Sequence, residues 1–191
     1  AEATTNQVGN VSDGLGVDGG YLFRAPLGTT KPKDIKTKLD EAFKCCGFVS
    51  EDGLVFETES DREEIKDMNG TAMHSGKSSH TETMAATLAE VKRLTLATMY
   101  GEKNVTDANG VITVKHNSNS HDIFSYVLEL VLKNNRRWRK VIPAGKSAEL
   151  DDLNISSSEL CQRPLTMKYL TDEDGNTCYD YFESTETTAT A

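Results

Sequence analysis

The sequence of 191 residues lacks several features, and each shortage argues against a class of protein. It has 21 Lys and Arg residues against 30 Asp and Glu residues, which gives a formal net charge of −9. Affinity for phosphate comes from clustered basic side chains, so this balance argues against a general nucleic-acid binder. No run approaches the ~20 apolar residues of a membrane-spanning helix. Residues 1–9 lack the basic and apolar regions of a secretory signal, so we expect neither a membrane span nor export.

Cysteine is scarce and is not arranged for metal binding. The four cysteines are the adjacent Cys45 and Cys46 and the separate Cys161 and Cys178. There is no C-x-x-C pair and no Cys/His grouping with the spacing of a zinc site. We expect four reduced thiols, while a bridge between Cys161 and Cys178 stays open at this point.

What is present is a pattern of short strands separated by turn residues. We predict strands at residues 20–25, 54–58, 81–89, 111–115, 122–133, 153–160, 165–170 and 178–182. Residues 122–133 are apolar on both faces, which favours a buried strand, with a helix as the alternative. Asn109-Gly110 is a hairpin signal, and Asp174-Gly-Asn176 is predicted to join the last two strands. A helical period over residues 91–100, ended by Gly101, predicts one helix.

These elements predict a mainly β protein. The expected fold is an antiparallel β-sandwich or half-barrel of about eight strands with one flanking α-helix. Residues 1–18 are interpreted as an N-terminal arm, 19–183 as the β domain and 184–191 as a polar C-terminal tail. Residues 57–80 are too charged and too rich in Gly and Ser for a core, so they are interpreted as a long polar stretch outside it. Residues 31–38 are predicted to be a basic loop that leads into a short helical turn at 39–43.

Two motifs imitate ligand sites without the required context. Gly14-Leu-Gly-Val-Asp-Gly19 spells G-x-G-x-x-G, but a strand follows it where a dinucleotide site needs a helix. The residues from Asp172 to Glu183 imitate a calcium loop, but Thr177 stands where that loop needs glycine. The four histidines form no zinc motif. The sequence therefore predicts no cofactor and no metal.

A basic cluster surrounds the single tryptophan. The cluster consists of Arg136, Arg137, Trp138 and Arg139. Such a cluster could stack bases and bind phosphates. Trp and Arg are also favoured anchors of protein contacts. In an acidic chain we interpret the cluster as a candidate protein-contact patch. A hydrolase that uses the neighbouring His121 and Asp122 is disfavoured, because no G-x-S-x-G elbow provides a nucleophile. We therefore predict a protein that is not an enzyme.

Several segments, taken in order, resemble one known family. They are Gly20-Tyr-Leu-Phe-Arg-Ala-Pro-Leu-Gly-Thr29, Leu39-Asp-Glu-Ala-Phe43, Gly47-Phe-Val-Ser-Glu-Asp-Gly53, Ser79-His-Thr-Glu-Thr83 and a helix that ends in Met99-Tyr-Gly101. This set resembles the major tail (tail tube) proteins of long non-contractile-tailed bacteriophages, the siphophage tail tube family. The match runs through residues 20–101 in register, and beyond residue 102 the similarity lies in the order of the elements.

The resemblance implies a structural subunit of a phage tail tube. Such subunits form hexameric rings that stack helically into a hollow tube, which conducts DNA during genome ejection. The implied partners are other copies of the chain, the tape measure protein, the tail tip (distal tail) and tail terminator proteins, and passing phage DNA bound without specificity. The implied location is the virion tail, after synthesis and assembly in the host cytoplasm. The alternative is a stand-alone β-sandwich binding or decoration module of a virion or cell surface.

The resemblance also points to residues 57–80, which are similar to the family's long loop that lies on adjacent subunits. The candidate contact residues are Glu57, Glu59, Asp61, Arg62, Glu63, Glu64, Lys66, Met68, His74, Lys77 and His80. Residues 1–18 and 184–191 are candidates for ring-to-ring contacts. We also expect acidic side chains to line the lumen, because a repulsive wall lets DNA slide whereas a basic wall binds phosphate.

Overall fold

The chain is mainly β, as the sequence predicts. A computed structural model describes residues 5–118 and 122–184, apart from the side chains of residues 62, 63, 74, 75, 77 and 78. The strands are β1 (Leu15–Gly16), β2 (Leu22–Pro26), β3 (Lys44–Cys45), β4 (Val49–Lys66), β5 (Ala72–Leu88), β6 (Val105–Ala108), β7 (Val111–Val114), β8 (Ile123–Val131), β9 (Arg137–Leu150), β10 (Arg163–Leu170) and β11 (Tyr179–Phe182). Helix α1 spans Arg93–Tyr100, and single 3-10 turns occur at Val8–Asn10, Glu102–Asn104 and Lys133–Asn135.

Nine strands form one antiparallel sheet in the order β3-β2-β8-β9-β10-β5-β4, with β1 beside β8 and β11 beside β9. Strands β6 and β7 form a separate hairpin, as predicted. Its turn residues Asn109 and Gly110 have φ values of 54° and 75°, and a two-residue turn of this kind requires positive φ at both positions. Strand β9 pairs with β11 near its start and with β10 near its end, so it joins the two halves of the sheet.

Strand β8 is buried on both faces, which confirms the strand interpretation over the helical one. Tyr126 and Leu128 enter the main core, whereas Val127 packs on the other face in a second cluster. The main core combines side chains of β2 and β8 with those of β5 and β10. Strand β9 separates these two pairs of strands in the sheet. The sheet therefore curls around this core.

Helix α1 is held against the sheet by polar contacts. The buried Arg24 side chain donates to the Thr98 hydroxyl at 3.0 Å and also to the Glu102 carboxylate. Arg93 donates to the same carboxylate at 2.7 Å. The helix ends at Gly101, as predicted, where φ is 92°.

The loop predicted at residues 57–80 is a β-hairpin instead. Strands β4 and β5 pair from Leu54 opposite Ala86 to Lys66 opposite Ala72. The polar composition correctly indicated that most of the described side chains are exposed. It did not indicate that the backbone forms paired strands. A strand pairs through its peptide groups, so polar residues form one wherever a complementary edge is available.

Two shorter predictions are also wrong. Residues 153–160 form no strand and are exposed, because β9 and β5 already pair with both edges of the adjoining β10. Strands β10 and β11 do not pair with each other; both pair with β9, one after the other along the same side. The short turn predicted at residues 39–43 is present as a single turn, in which the amide of Phe43 donates to the carbonyl of Asp40 at 3.0 Å.

The described residues leave out parts of two predicted segments. Residues 1–4 of the N-terminal arm and 185–191 of the C-terminal tail lie outside them, as does His121.

Candidate assembly surfaces

The β4–β5 hairpin extends beyond the sheet as a two-stranded ribbon. Strand β10 pairs with β5 only as far as Thr83, which faces Glu57 of β4. Beyond this point the two strands pair only with each other in the described chain, and we name residues 59–81 the hairpin arm. With a rise of 3.3 Å per residue, the arm is roughly 25 Å long. An isolated two-stranded hairpin is at best marginally stable in water, so we expect this arm to gain order from whatever it packs against.

A row of carboxylates lies along strand β4. Glu57, Glu59 and Asp61 alternate along the strand, so they share one face, and all three are exposed. The residues opposite them on β5 are Thr83, Thr81 and Ser79, which carry no charge. Among the described side chains, these three carboxylates take part in no ion pair. We name them the acidic row; its like charges repel one another unless a basic partner covers them.

Apolar side chains are exposed near the end of the arm. Met68 is 97% exposed, Met73 66% and Ile65 50%. Only Met68 belongs to the candidate residues predicted from the sequence. Ile65 and Met73 were missed because they lie in a polar stretch interpreted as a loop, where alternation between the faces of a strand was not considered. Three exposed apolar side chains on one projecting element are typical of a contact surface.

The turn at the end of the arm has a defined geometry. The Asp67 carboxylate accepts from the amides of Asn69 at 2.9 Å and Thr71 at 2.7 Å. Gly70 has a φ of 84°, which favours glycine. Met68 is therefore presented on a closed turn.

The remaining candidate residues of the arm have local partners or lie outside the described side chains. Lys66 lies 3.5 Å from the Glu64 carboxylate, and His80 lies 3.5 Å from that of Glu82. The side chains of Arg62, Glu63, His74 and Lys77 lie outside the description.

Glu82 connects the base of the arm to the loop before β11. Its carboxylate accepts from the Thr177 hydroxyl, and the Cys178 thiol donates to it at 3.6 Å. Burial alone would raise the pKa of Glu82, but the hydrogen bonds, chiefly the one from Thr177, outweigh burial and lower it. The ionised carboxylate therefore fixes the arm where it leaves the sheet.

The four residues of the predicted contact patch do not form one surface. Arg139 is buried and pairs with Glu129 at 2.5 Å, and the half-exposed Arg137 lies 3.3 Å from the same carboxylate. Along β9 the next side chain, Trp138, points to the opposite face, where it stacks on Phe182 with ring centroids 5.0 Å apart.

The other members of this patch are tied to the end of the chain that the structure describes. The Trp138 indole donates to Asp180 at 2.6 Å, and Arg136 donates to the carbonyl of Glu183 at 3.0 Å. Because these groups are engaged internally, a contact role for the patch stays a prediction that the geometry does not favour.

A basic loop lies on the surface next to Arg139. Residues 31–38, which we name the lysine loop, carry Lys31, Lys33, Lys36 and Lys38. Arg139 donates to the carbonyls of Asp34 at 2.6 Å and Thr37 at 2.8 Å. The Asp34 carboxylate accepts from the amides of Thr37 and Lys36, and these bonds lower its pKa. The loop is thus held firmly although it has no regular secondary structure.

Most lysines of this loop are exposed. Lys33, Lys36 and Lys38 are exposed, and none of the four lysines forms an ion pair with a carboxylate in the described chain. The sequence showed the basic composition, but it did not show that Arg139 holds the loop or that three of its lysines are exposed.

A groove of about 920 Å³ opens beside the lysine loop. Leu27, Ile123 and Leu170 contribute apolar surface, and Lys31 and Lys33 lie along one side. The turn that carries Asp172, Glu173 and Asp174 forms the other side, so the groove contains charges of both signs. We name this feature the lysine groove.

A second groove, of about 790 Å³, lies on another part of the surface. It is lined by Leu15, Phe48 and Trp138, and Glu51 and Glu90 also contribute to it. Both grooves contain carboxylates, and the lysine groove differs in also containing Lys31 and Lys33.

The structure offers little chemistry for catalysis in the part of the chain that it describes. No three His, Cys, Asp or Glu side chains meet there as a possible metal site, and no helix is long and apolar enough to cross a membrane. Asp122 accepts from the amide of Glu102 at 2.7 Å, and its predicted partner His121 lies outside the described residues. All four cysteines are free, and burial raises the pKa of Cys46 to about 12, which keeps that thiol protonated.

The segment after Asp172, which resembles a calcium loop in sequence, forms a turn, as predicted. The Asp172 carboxylate accepts from the amide of Asn176 at 2.9 Å and from the Tyr179 hydroxyl at 2.6 Å. These bonds, the one from Tyr179 first, lower the pKa of Asp172. The G-x-G-x-x-G segment places Leu15 and Gly16 in strand β1 and is followed by β2, so it opens no helix.

Comparison with known proteins identifies the family. No curated protein matches the chain. A family model described as "Phage tail tube protein" matches residues 16–191, which include the sheet, the hairpin arm and the lysine groove. The chain therefore belongs to the phage tail tube protein family, and it is a structural protein of the bacteriophage virion tail.

Proposed function

We propose that this protein is the tube subunit of a long non-contractile (siphophage) tail, in which hexameric rings stack helically into a hollow tube. The observation that carries the proposal is the hairpin arm, an exposed ribbon of residues 59–81 with apolar side chains near its end and no neighbour beyond its own two strands in the described chain. A monomer gains little from such an element. A neighbouring subunit that covers it would bury the apolar tip and order the ribbon.

The free edge of strand β4 supports the same proposal. In the described chain β4 pairs with β5 on one side only, so its other edge presents unpaired peptide groups. Exposed edges of this kind are a liability in a monomer because they pair with other chains. A ring in which each edge meets the next subunit satisfies these groups and leaves no free edge.

The tube would enclose the DNA path. The chain carries a net charge of −9, and an acidic lumen wall repels phosphate, so DNA would slide during genome ejection without specific binding. In this proposal the protein is not an enzyme. It assembles in the host cytoplasm with the tape measure, tail tip and terminator proteins. A tube structure with mainly Lys and Arg side chains around the lumen would contradict this part of the proposal.

Deletion of residues 59–77 tests the role of the arm. The deletion leaves residues 78–81 to connect Thr58 and Glu82, which face each other in the hairpin, so the sheet keeps its pairing. We expect a folded monomer by circular dichroism and no rings or tubes by electron microscopy. A deletion of residues 154–160, another exposed segment, is the control and should still assemble. Normal tubes from the arm deletion would overturn the role of the arm.

The alternative of a stand-alone binding module receives less support. Such a module needs an exposed aromatic or arginine patch, whereas Trp138 stacks on Phe182 and Arg139 is buried against Glu129. The two functions differ in size at high concentration, because a module stays monomeric while a tube subunit forms rings or tubes. Size-exclusion chromatography coupled to light scattering separates them.

A further inference from the structure

We infer that a small pocket between helix α1, the end of the β6–β7 hairpin and the start of β10 binds a tetrahedral oxyanion such as phosphate. The pocket has a volume of about 210 Å³. Its polar lining residues are Tyr100, Asn104, Lys115, His116, Asn117 and Arg163. We name this feature the basic pocket. The inference is independent of the proposed function, because it concerns a ligand of the single chain.

The basic pocket is lined by charges of one sign. Lys115 and Arg163 contribute two cations, and His116 adds an imidazole that donates an N–H in either protonation state. Within the described chain, no Asp or Glu side chain lines the pocket. Lys115 and Arg163 also form no ion pair with any carboxylate that the structure describes. In a chain with a net charge of −9, this local concentration of positive charge favours an anion.

The Arg163 side chain is already fixed in position. Its Nε donates to the carbonyl of Asp151 at 2.7 Å, and its Nη1 donates to the Tyr100 hydroxyl at 2.6 Å. A guanidinium has five N–H donors, and these two bonds use two of them. The other donors can bind an oxyanion while the side chain stays where it is. A group that is ordered in advance loses less entropy on binding.

The segment that carries Lys115 and His116 is fixed as well. The amide of Lys115 donates to the carbonyl of Asn104 at 2.8 Å. The Asn117 side chain donates to the Asn104 side chain, also at 2.8 Å. Between these two bonds, the His116 ring packs edge-on against Tyr100 with ring centroids 4.7 Å apart. The residues that follow β7 are therefore held at the pocket.

A carboxylate near the pocket is already engaged with the backbone. The side chains of Asp122 and Asn104 both lie beside Gly101. Asp122 does not line the pocket, and its carboxylate accepts from the amide of Glu102 at 2.7 Å. It weakens the positive potential at the pocket but does not occupy the place of the ligand.

The size of the basic pocket restricts the ligand to a small anion. Pockets that take larger organic ligands have volumes of roughly 300–1,000 Å³, which is more than this pocket offers. A tetrahedral oxyanion presents several acceptor oxygens and can accept from an ammonium and a guanidinium at the same time. Strands β6 and β7 form a sheet of their own, so a bound oxyanion would connect that hairpin to α1 and β10. The ligand should therefore stabilise the attachment of the hairpin.

Titration of the dilute, unpolymerised chain with inorganic phosphate tests the inference. Two or three charge-assisted hydrogen bonds at an open site correspond to half-saturation at roughly 1 mM phosphate. At about 10 mM phosphate, binding of this strength lowers the equilibrium constant of unfolding about tenfold relative to chloride at equal ionic strength. The amide NMR signals of residues 115–117 should shift along the same saturating curve. Sulfate, which has the same shape, should shift the same signals.

Lys115→Gln removes one cation from an exposed position of the pocket. Loss of one charge-assisted hydrogen bond should raise the phosphate concentration at half-saturation roughly tenfold. Lys103→Gln is the matched control, because Lys103 is also exposed and lies in the turn after α1 but does not line the pocket. This control should bind phosphate like the wild type.

The control also separates binding from a general salt effect. Phosphate stabilises many proteins because it is excluded from their surface, and that effect does not saturate at a site. A stabilisation that rises without saturation, or one that Lys115→Gln and Lys103→Gln share equally with the wild type, would overturn the inference. Either result leaves the proposed function intact.

Discussion

The curled sheet and the hairpin arm share strands β4 and β5, but different interactions stabilise them. In the sheet, β5 contributes Met84 and Leu88 to a core where both side chains are buried. In the arm, the same strand carries Met73 with 66% of its surface exposed. Burial stabilises the first region within one molecule. The second region has only backbone pairing, so its apolar groups gain stability only between molecules.

The largest expected effect comes from the core. Leu128→Ala removes a fully buried side chain from β8 and should lower the free energy of unfolding by about 4 kcal/mol. The matched arm variant Met68→Ala should change it by less than about 0.5 kcal/mol, because that side chain is exposed. Urea unfolding followed by Trp138 fluorescence measures both. Equal losses would break the distinction between the two regions.

A smaller loss of stability is expected at Arg139, which connects the core to the lysine loop. Arg139→Met leaves the buried Glu129 with only the half-exposed Arg137, which should cost about 3 kcal/mol. The carbonyls of Asp34 and Thr37 also lose their donor, so endoproteinase Lys-C should cut the lysine loop faster. Arg136→Met is the control, since among the described residues that side chain donates only to the carbonyl of Glu183. Unchanged resistance to the protease in Arg139→Met would show that the loop is held by other contacts.

The smallest effect concerns the boundary between the two regions. The folded-state pKa of Glu82 is lowered from its ordinary value of 4.5, so its bond to Thr177 stabilises the arm base above that pH. This stabilisation should disappear as the pH falls through the lowered pKa. Amide NMR signals of residues 81, 82 and 177 should shift together in that acid range. In Glu82→Gln this shared transition should be absent, and its persistence there would assign it to another group.

Local signals in the sequence predicted much of the sheet but little of the arm. The apolar stretch at β8, the Asn109-Gly110 turn and the Gly101 helix end each lie within a few residues, and each was confirmed. Pairing partners are not local. Nothing near β10 or β11 indicates that both pair with β9, and a polar strand such as β4 resembles a loop until its partner edge is known.

The lysine loop shows the same limit for the candidate surfaces. Its basic composition is plain in the sequence, but its rigidity depends on Arg139, which lies 102 residues from Thr37. The sequence grouped Arg139 with Trp138 as one exposed patch. Alternation along β9 separates them, and that alternation became meaningful only once a strand could be assigned there.

The marginal order of a two-stranded ribbon has a kinetic consequence. On the proposed function, a free subunit loses conformational entropy when its arm becomes ordered at the first contact, so the earliest small assemblies are rare. In the proposed ring, each new arm would meet a surface that is already in place, and addition would become fast. On the proposed function, the protein would therefore accumulate as free subunits until a preformed platform starts growth.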